Sequence, residues 1–189
     1  MKNPTATITM QDSRAMTFEL FPAEAPLTVS NFADLANSGF YDGLPFHRIV
    51  KGFVLQGGST DGTCESPTDF SIMGEFSENG IENKISHLRG AISMGRYDHC
   101  DSAAVQFFIV HNDTTRLDGK YAAFGMMTDG FALLDELADT PTDETEGKFN
   151  PPLIPVIIQK IRVDTGDCTL QKPERIIPAV SKAYSGSAK

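Results

Sequence analysis

A chain of 189 residues with 40% hydrophobic and 22% charged residues has ordinary globular composition, which suits one domain with a sizeable core and excludes wholesale disorder. The net charge of −9 is uneven: Lys172, Arg175, Lys182 and Lys189 against Asp167 and Glu174 put residues 166–189 at +2 and leave −11 on residues 1–165. Such a body repels phosphate backbones, no apolar run is long enough to span a bilayer, and residues 1–5 are not followed by an apolar leader, so neither nucleic acid nor membrane is an expected partner and the cytosol is the expected compartment.

In chain order, residues 5–10 and 15–21 alternate in polarity around a polar tetrapeptide, which predicts a hairpin with Met16, Phe18 and Leu20 on one buried face. Pro22 ends that strand. Pro26 suits a first helical turn, and Val29, Phe32, Ala33 and Ala36 follow helical spacing up to a capping Gly39. Short apolar runs then recur between Gly, Asp, Asn and Ser clusters at residues 53–55, 70–72, 91–94, 107–110 and 122–124, the pattern of an antiparallel sandwich or barrel. Residues 130–138 read as a second helix through Leu133, Leu134 and Leu137, residues 139–155 as a surface loop, and residues 156–163 as a closing strand. In the tail, Ile176, Ile177 and Val180 are apolar enough to dock. Cys64, Cys100 and Cys168 are odd in number and widely spaced, which fits free thiols; His99-Cys100 could be half of a metal site but has no partner pair at ligand spacing.

One stretch concentrates unusual chemistry. Residues 46–58 place Phe46-His47-Arg48 three residues before Gly52-Phe53 and end in Gln56-Gly57-Gly58, with a buried strand expected from Phe53 to Leu55. An always-charged guanidinium beside apolar surface is costly unless something accepts its hydrogen bonds, and a ligand carbonyl is one candidate acceptor; a surface arginine beside a core strand is the other reading. A second set of motifs, Gly90-Ala91-Ile92-Ser93-Met94, Gln106-Phe107-Phe108, and Leu117-Asp118-Gly119 followed by Phe124-Gly125, stands in the same order and near the same spacing as in the cyclophilin family of peptidyl-prolyl isomerases, which the chain therefore resembles over about residues 4–165. The twelve-residue step from Met94 to Gln106 is similar to the bacterial type.

The resemblance implies a mainly β fold, a closed eight-stranded antiparallel β-barrel capped by two α-helices, over residues 1–165, with residues 166–189 as a C-terminal extension. It implies a cofactor-free, metal-free monomeric isomerase acting on X-Pro bonds in peptides and in unfolded or flexible proteins. Carried over by motif, Arg48 is the catalytic donor and Gln56 orients it from the same strand. Phe53, Val54, Phe108 and Leu117 line the proline pocket, Tyr121 closes one side, Gln106 stands beside the entrance, and the backbone of Gly95 and Arg96 pairs with the peptide as a strand does. Taken singly, Phe53, Val54, Phe108 and Leu117 are residue types far more often found in plain core. His47 is expected to be a hydrogen-bonded structural histidine, because bond rotation moves no proton.

The departures from the family bear on substrate preference. Arg116 stands where many members carry tryptophan, and the chain contains no Trp. Tyr121 stands where many carry histidine, residues 62–69 are poor in glycine, and Tyr97 with residues 98–101 replaces smaller sequence, which is expected to narrow the pocket for residues before the proline. Weak binding of the cyclic peptide cyclosporin is expected accordingly. Two rival functions remain at this stage: a non-catalytic peptide-binding or holdase module on the same barrel, and a thiol-based redox or metal protein resting on Cys64 and Cys100.

Overall fold

The computed structural model describes residues 2–64, 68–146, 149–177 and 179. Strands β1 (Thr5–Met10) and β2 (Ala15–Leu20) pair antiparallel with Ile8 opposite Met16 and Ala6 opposite Phe18. That register points Ala6, Ile8, Met10, Met16, Phe18 and Leu20 to one side, and all six are buried. Around this hairpin the sheet grows to eight strands, all antiparallel, in the order β3-β4-β6-β5-β7-β2-β1-β8. The further strands are β3 (Phe46–Val50), β4 (Val54–Gly57), β5 (Ala91–Met94), β6 (Phe107–Val110), β7 (Ala123–Asp129) and β8 (Ile158–Asp164).

Two expectations need correction. The run at residues 70–72 is not a ladder strand; it makes only single bridges, Ser71 to Ile176 and Ile72 to Ala103. Its place in the count is taken by β3, whose polar His47 and Arg48 masked a strand that buries Phe46 and Ile49. The closed barrel is also not confirmed. The sheet curls, and its end strands β3 and β8 approach each other at the bridge of Pro45 with Ile157, flanked by backbone bonds from Phe46 to Val156 (2.8 Å), from Ile158 to Leu44 (2.9 Å) and from Gly43 to Ile158 (2.9 Å).

The concave side of the sheet holds the main core. Helix α1 (Pro26–Asn37) drives Phe32 into it, where its ring meets those of Tyr41, Phe107 and Phe124 at 5.0–5.5 Å. The first turn of α1 has no cap from its own Ala25; instead the buried Glu75 carboxylate accepts from the N–H groups of Leu27 (3.0 Å) and Thr28 (2.7 Å) and from the Thr28 hydroxyl (2.6 Å). An anion at the positive end of a helix satisfies otherwise unpaired donors. Helix α2 (Phe131–Ala138) packs Leu133, Leu134 and Leu137 onto the sheet beside β2. No helix among the described residues is long and apolar enough to cross a membrane.

The tail folds back onto the body. Leu170 packs against the core, and Arg175 pairs with Asp34 on α1 at 2.7 Å. Ile176 docks through its backbone, whereas Ile177 remains 75% exposed, so the tail is held by polar and backbone contacts more than by the apolar side chains expected to anchor it. Val180 lies outside the described residues.

Candidate active site

The candidate site is created by an irregularity in a strand. Lys51 and Gly52 turn the chain, with Gly52 at φ +78° and Phe53 N–H bonded to Val50 O at 2.9 Å, so β3 and β4 form a tight antiparallel pair. Gln56 therefore orients Arg48 from the neighbouring strand, not from the same one. The register shifts between Phe46, opposite Gly57, and Arg48, opposite Gln56, which leaves His47 as an extra residue. In a regular strand Arg48 would share the inward face of Phe46. The bulge instead turns Arg48 to the outer side while Phe46 and Ile49 stay in the core, a re-aiming that bulges supply at functional sites.

On that outer face lies a second, smaller apolar cluster. Alternation along β6 sends Phe107 and Ile109 to the main core and Phe108 and Val110 outward, where they join Val54 and Ala91, with Phe53, Leu117, Tyr121 and Met126 packed around them. An open pocket of about 180 Å³ sits there, lined by Arg48, Phe53, Val54, Gln56, Gly95, Arg96, Phe108, Leu117 and Tyr121. The structure thus brings together nine of the ten residues singled out in the sequence. Tyr121 meets Phe108 edge-on at 5.6 Å, and Arg116 stands over the Phe53 ring at 4.7 Å from outside the pocket.

Gln106, the tenth, is displaced by one step. It is 7% exposed and belongs to a smaller adjoining pocket of about 30 Å³, walled also by Cys64, Thr68, Tyr97, Ser102, Ala104 and Val105, which shares Gln56, Gly95 and Arg96 with the larger one. A chain of amides links the two pockets. Arg48 Nη1 donates to Gln56 Oε1 at 3.3 Å, Gln56 Nε2 donates to Gln106 Oε1 at 2.8 Å, and Gln106 Nε2 donates to the Cys64 carbonyl at 3.1 Å. Each link fixes which end of the next amide is the acceptor, so the Arg48 guanidinium is held in one orientation. Burial depresses its proton affinity, with the Cys64 and Tyr121 side chains acting in the opposite sense, yet an arginine in water-accessible surroundings remains a cation.

The Gly95 N–H is already given to Gln106 O at 2.8 Å, so strand-like pairing with a peptide there cannot use that donor. A side chain at position 95 would meet Gln106 Cβ at 3.3 Å and the Gln56 amide at 3.5 Å, which explains the glycine beside the relay. Arg96 contributes more than backbone: its guanidinium lies 4.9 Å over Tyr121 and 5.0 Å over Phe76, and donates to the carbonyls of Lys120 (2.7 Å) and Tyr97 (2.8 Å). It clamps the two loops that carry the pocket walls.

Two histidines complete the support. His47 is 3% exposed, and among the described residues neither ring nitrogen makes a geometrically sound hydrogen bond, although the Gln106 side chain is near enough to favour the protonated ring slightly. The expected hydrogen-bonded histidine thus has no well-formed ring hydrogen bond among the described residues. Burial, then the Arg48 charge, pulls its pKa down to about 4, so it is neutral in the folded protein near pH 7. The sequence reading missed His87. It is fully buried, stacked on Phe108 at 5.9 Å, with Nδ1 2.8 Å from Asp118 Oδ1 and Nε2 3.0 Å from Ser93 Oγ. Asp118, directly after Leu117 in a motif already in view, was the signal that could have found it.

A preorganised donor over an apolar hollow on the outside of a curled antiparallel sheet is suited to gripping a short apolar ring next to a carbonyl. The family model of cyclophilin-type peptidyl-prolyl cis-trans isomerases matches residues 5–163. The chain is 40% identical over 130 residues to peptidyl-prolyl cis-trans isomerase B of Bacillus subtilis, covering 69% of this chain and 87% of the relative. It is 40% identical over 136 residues to a peptidyl-prolyl cis-trans isomerase of Helicobacter pylori, covering 70% and 81%. Among solved structures, a Cryptosporidium parvum cyclophilin-type isomerase crystallised in the presence of the dipeptide Ala-Pro superposes with a TM-score of 0.75 at 28% identity, covering 86% of this chain and 99% of that one. The chain belongs to the cyclophilin-type peptidyl-prolyl cis-trans isomerase family.

Proposed function

We propose that the larger pocket binds the proline of an X-Pro peptide and that Arg48 accelerates rotation about the X-Pro bond, with flexible or unfolded protein segments as substrates. The observation that carries this reading is the outward-turned, amide-locked Arg48 beside the hollow formed by Phe53, Val54, Phe108, Leu117 and Tyr121. Rotation breaks amide resonance at a barrier of about 18–20 kcal/mol, and shortening tens of seconds to milliseconds takes roughly 5–6 kcal/mol of stabilisation given to the twisted form alone. In that form the imide nitrogen regains a basic lone pair. A fixed N–H donor aimed at it is selectively favourable and contributes on the order of 3–4 kcal/mol in a site that excludes water. The apolar walls hold the ring while the preceding carbonyl swings, which accounts for the rest.

Gln56 is a positioning residue in this scheme, and the neutral His47 takes no part in proton transfer. Residues before the proline run past Gly95 and Arg96 toward the smaller pocket. Cyclosporin occupies the same hollow weakly, since Arg116 offers a hydrated cation where a flat apolar wall would serve the ligand better. A protease-coupled isomerisation assay on a proline peptide tests the reading: the parent accelerates the slow phase, and a protein that binds the peptide without accelerating it would be a holdase on the same fold.

A further inference from the structure

We infer that the C-terminal segment, residues 170–177 with Ala179, shapes the smaller pocket and so tunes selectivity for the residues that precede the proline, an inference that rests on the assignment of the two pockets above. Residues 68–72 run between the tail and the pocket wall. On one side Ser71 exchanges both backbone hydrogen bonds with Ile176, at 3.0 and 2.8 Å, and Asp69 O accepts from Ala179 N at 3.0 Å. On the other side Ile72 N donates to Ala103 O at 2.7 Å. Thr68 at one end of this run and Ala104, Val105 and Gln106 beyond Ala103 are walls of the smaller pocket. A segment with one bridge on each side has no ladder of its own, so its position follows both neighbours.

A side-chain route runs in parallel and converges on the same wall. Arg175 lies 4.2 Å over the Phe70 ring, pairs with Asp34 at 2.7 Å and donates from Nε to Asn31 Oδ1 at 3.2 Å. Asn31 is fully buried in α1, and its Nδ2 donates to Ala104 O at 2.7 Å. Arg175 therefore fixes the orientation of the amide that holds the Ala104 carbonyl, one residue from Val105 and two from Gln106. The larger pocket shares Gln56, Gly95 and Arg96 with the smaller one, but its remaining lining comes from β3, the β3–β4 turn, β4, β6 and residues 117–121, none of which the tail touches through Phe70 or Asn31. Arg175 is a positioning residue, acting on the pocket through Phe70 and Asn31.

The test uses the full chain carrying Arg175→Ala or Arg175→Lys, with proline peptides that differ only in the residue two before the proline, from glycine to leucine. For Arg175→Ala the ratio of KM between the leucine and glycine peptides shifts about fivefold, the low end of coupling between separate sites, while kcat and the glycine-peptide KM stay at parent values. Arg175→Lys, which keeps the charge and loses the fork, lies between the two. Faster amide exchange at Ser71 and Ile72 in Arg175→Ala accompanies the shift. An unchanged KM ratio with unchanged exchange overturns the inference and leaves the isomerase assignment standing. A parent protein inactive on every proline peptide removes both.

Discussion

The two adjoining pockets are held in place by different kinds of structure. Four of the nine residues that line the larger one, Arg48, Val54, Gln56 and Phe108, sit on paired strands, where Arg48 faces Gln56 and Gln56 faces Phe108 across successive ladders, so main-chain hydrogen bonds fix this side of the pocket before any ligand arrives. The smaller one is walled mainly by loops, and the α1 asparagine that holds the Ala104 carbonyl in its wall is itself bonded by Arg175, a tail residue 144 positions away. Ladder-built walls are set by local sequence and resist change. Loop-built walls depend on remote segments and can differ between relatives that share the same chemistry. The family model ends at residue 163, before the segment that braces the smaller pocket.

The largest expected effect tests the ladder-built side. Arg48→Ala leaves the fold intact, since the residue faces outward from a bulge, but lowers kcat/KM on a proline peptide by roughly 10²–10³, the scale of one lost transition-state donor. Activity at the parent rate in a folded variant would sink the assigned mechanism. Gln56→Ala should lose less than Arg48→Ala, because the guanidinium remains but its orientation is no longer fixed.

The same contrast governs what could be read from sequence. The hairpin, both helices and β5, β6 and β7 were legible because period-two or helical burial is written in the residues themselves. The pocket residues were legible through spaced motifs. What escaped was non-local: residues 46–50 carry no continuous apolar run to mark a strand, and only their pairing with β4 shows that a bulge sorts them to two faces. Residues 70–72 looked like a strand because Phe70 and Ile72 are apolar, yet their partners are the tail and a loop. Glu75 capping α1 and Arg175 holding Asn31 join positions far apart in the chain, and no periodicity announces such pairs.

A second prediction finds the limit of the ladder-built framework in pH. His47 and His87 both have their pKa lowered in the fold, first of all by burial, with Asp118 partly offsetting this for His87. An unfolded histidine binds its proton near pH 6.5. Below that pH the unfolded state takes up protons that the folded state refuses, so stability is whole above about 6.5 and falls as pH drops toward the His47 value of about 4. The loss attributable to His47 is on the order of 2–3 kcal/mol across that window. Urea midpoints measured from pH 7 to 4.5 should decline, and His47→Gln should flatten the decline. An unchanged slope in His47→Gln would show that the ring is hydrated rather than sealed under the bulge.

Cyclosporin would probe the outer edge of the larger pocket beside Phe53. Arg116 caps the Phe53 ring at 4.7 Å, a cation–π contact that a bulky apolar ligand must either cover or displace. Covering it strips water from the guanidinium. Replacement by tryptophan supplies a flat wall and one N–H donor. Calorimetric titration should therefore give the parent an affinity weaker than Arg116→Trp by about 2 kcal/mol, roughly thirtyfold, with proline-peptide turnover little changed. Equal affinities would mean that residue 116 does not meet the ligand.

The smallest effect separates stability from selectivity in the loop-built pocket. Ending the chain at Thr165 removes an exposed Arg175–Asp34 pair, worth at most about 1 kcal/mol, a cation–π contact of about 0.5–1 kcal/mol with Phe70, and the packing of Leu170. None of the eight ladder strands or two helices is lost. For a chain of this size that predicts a melting temperature lower by roughly 2–6 °C, measured as a single cooperative transition. A fall well beyond about 10 °C would place the tail in the core rather than on it. A modest fall together with an altered preference at the residue two before the proline would mean that the tail contributes little to whether the protein folds and much to what the folded protein accepts.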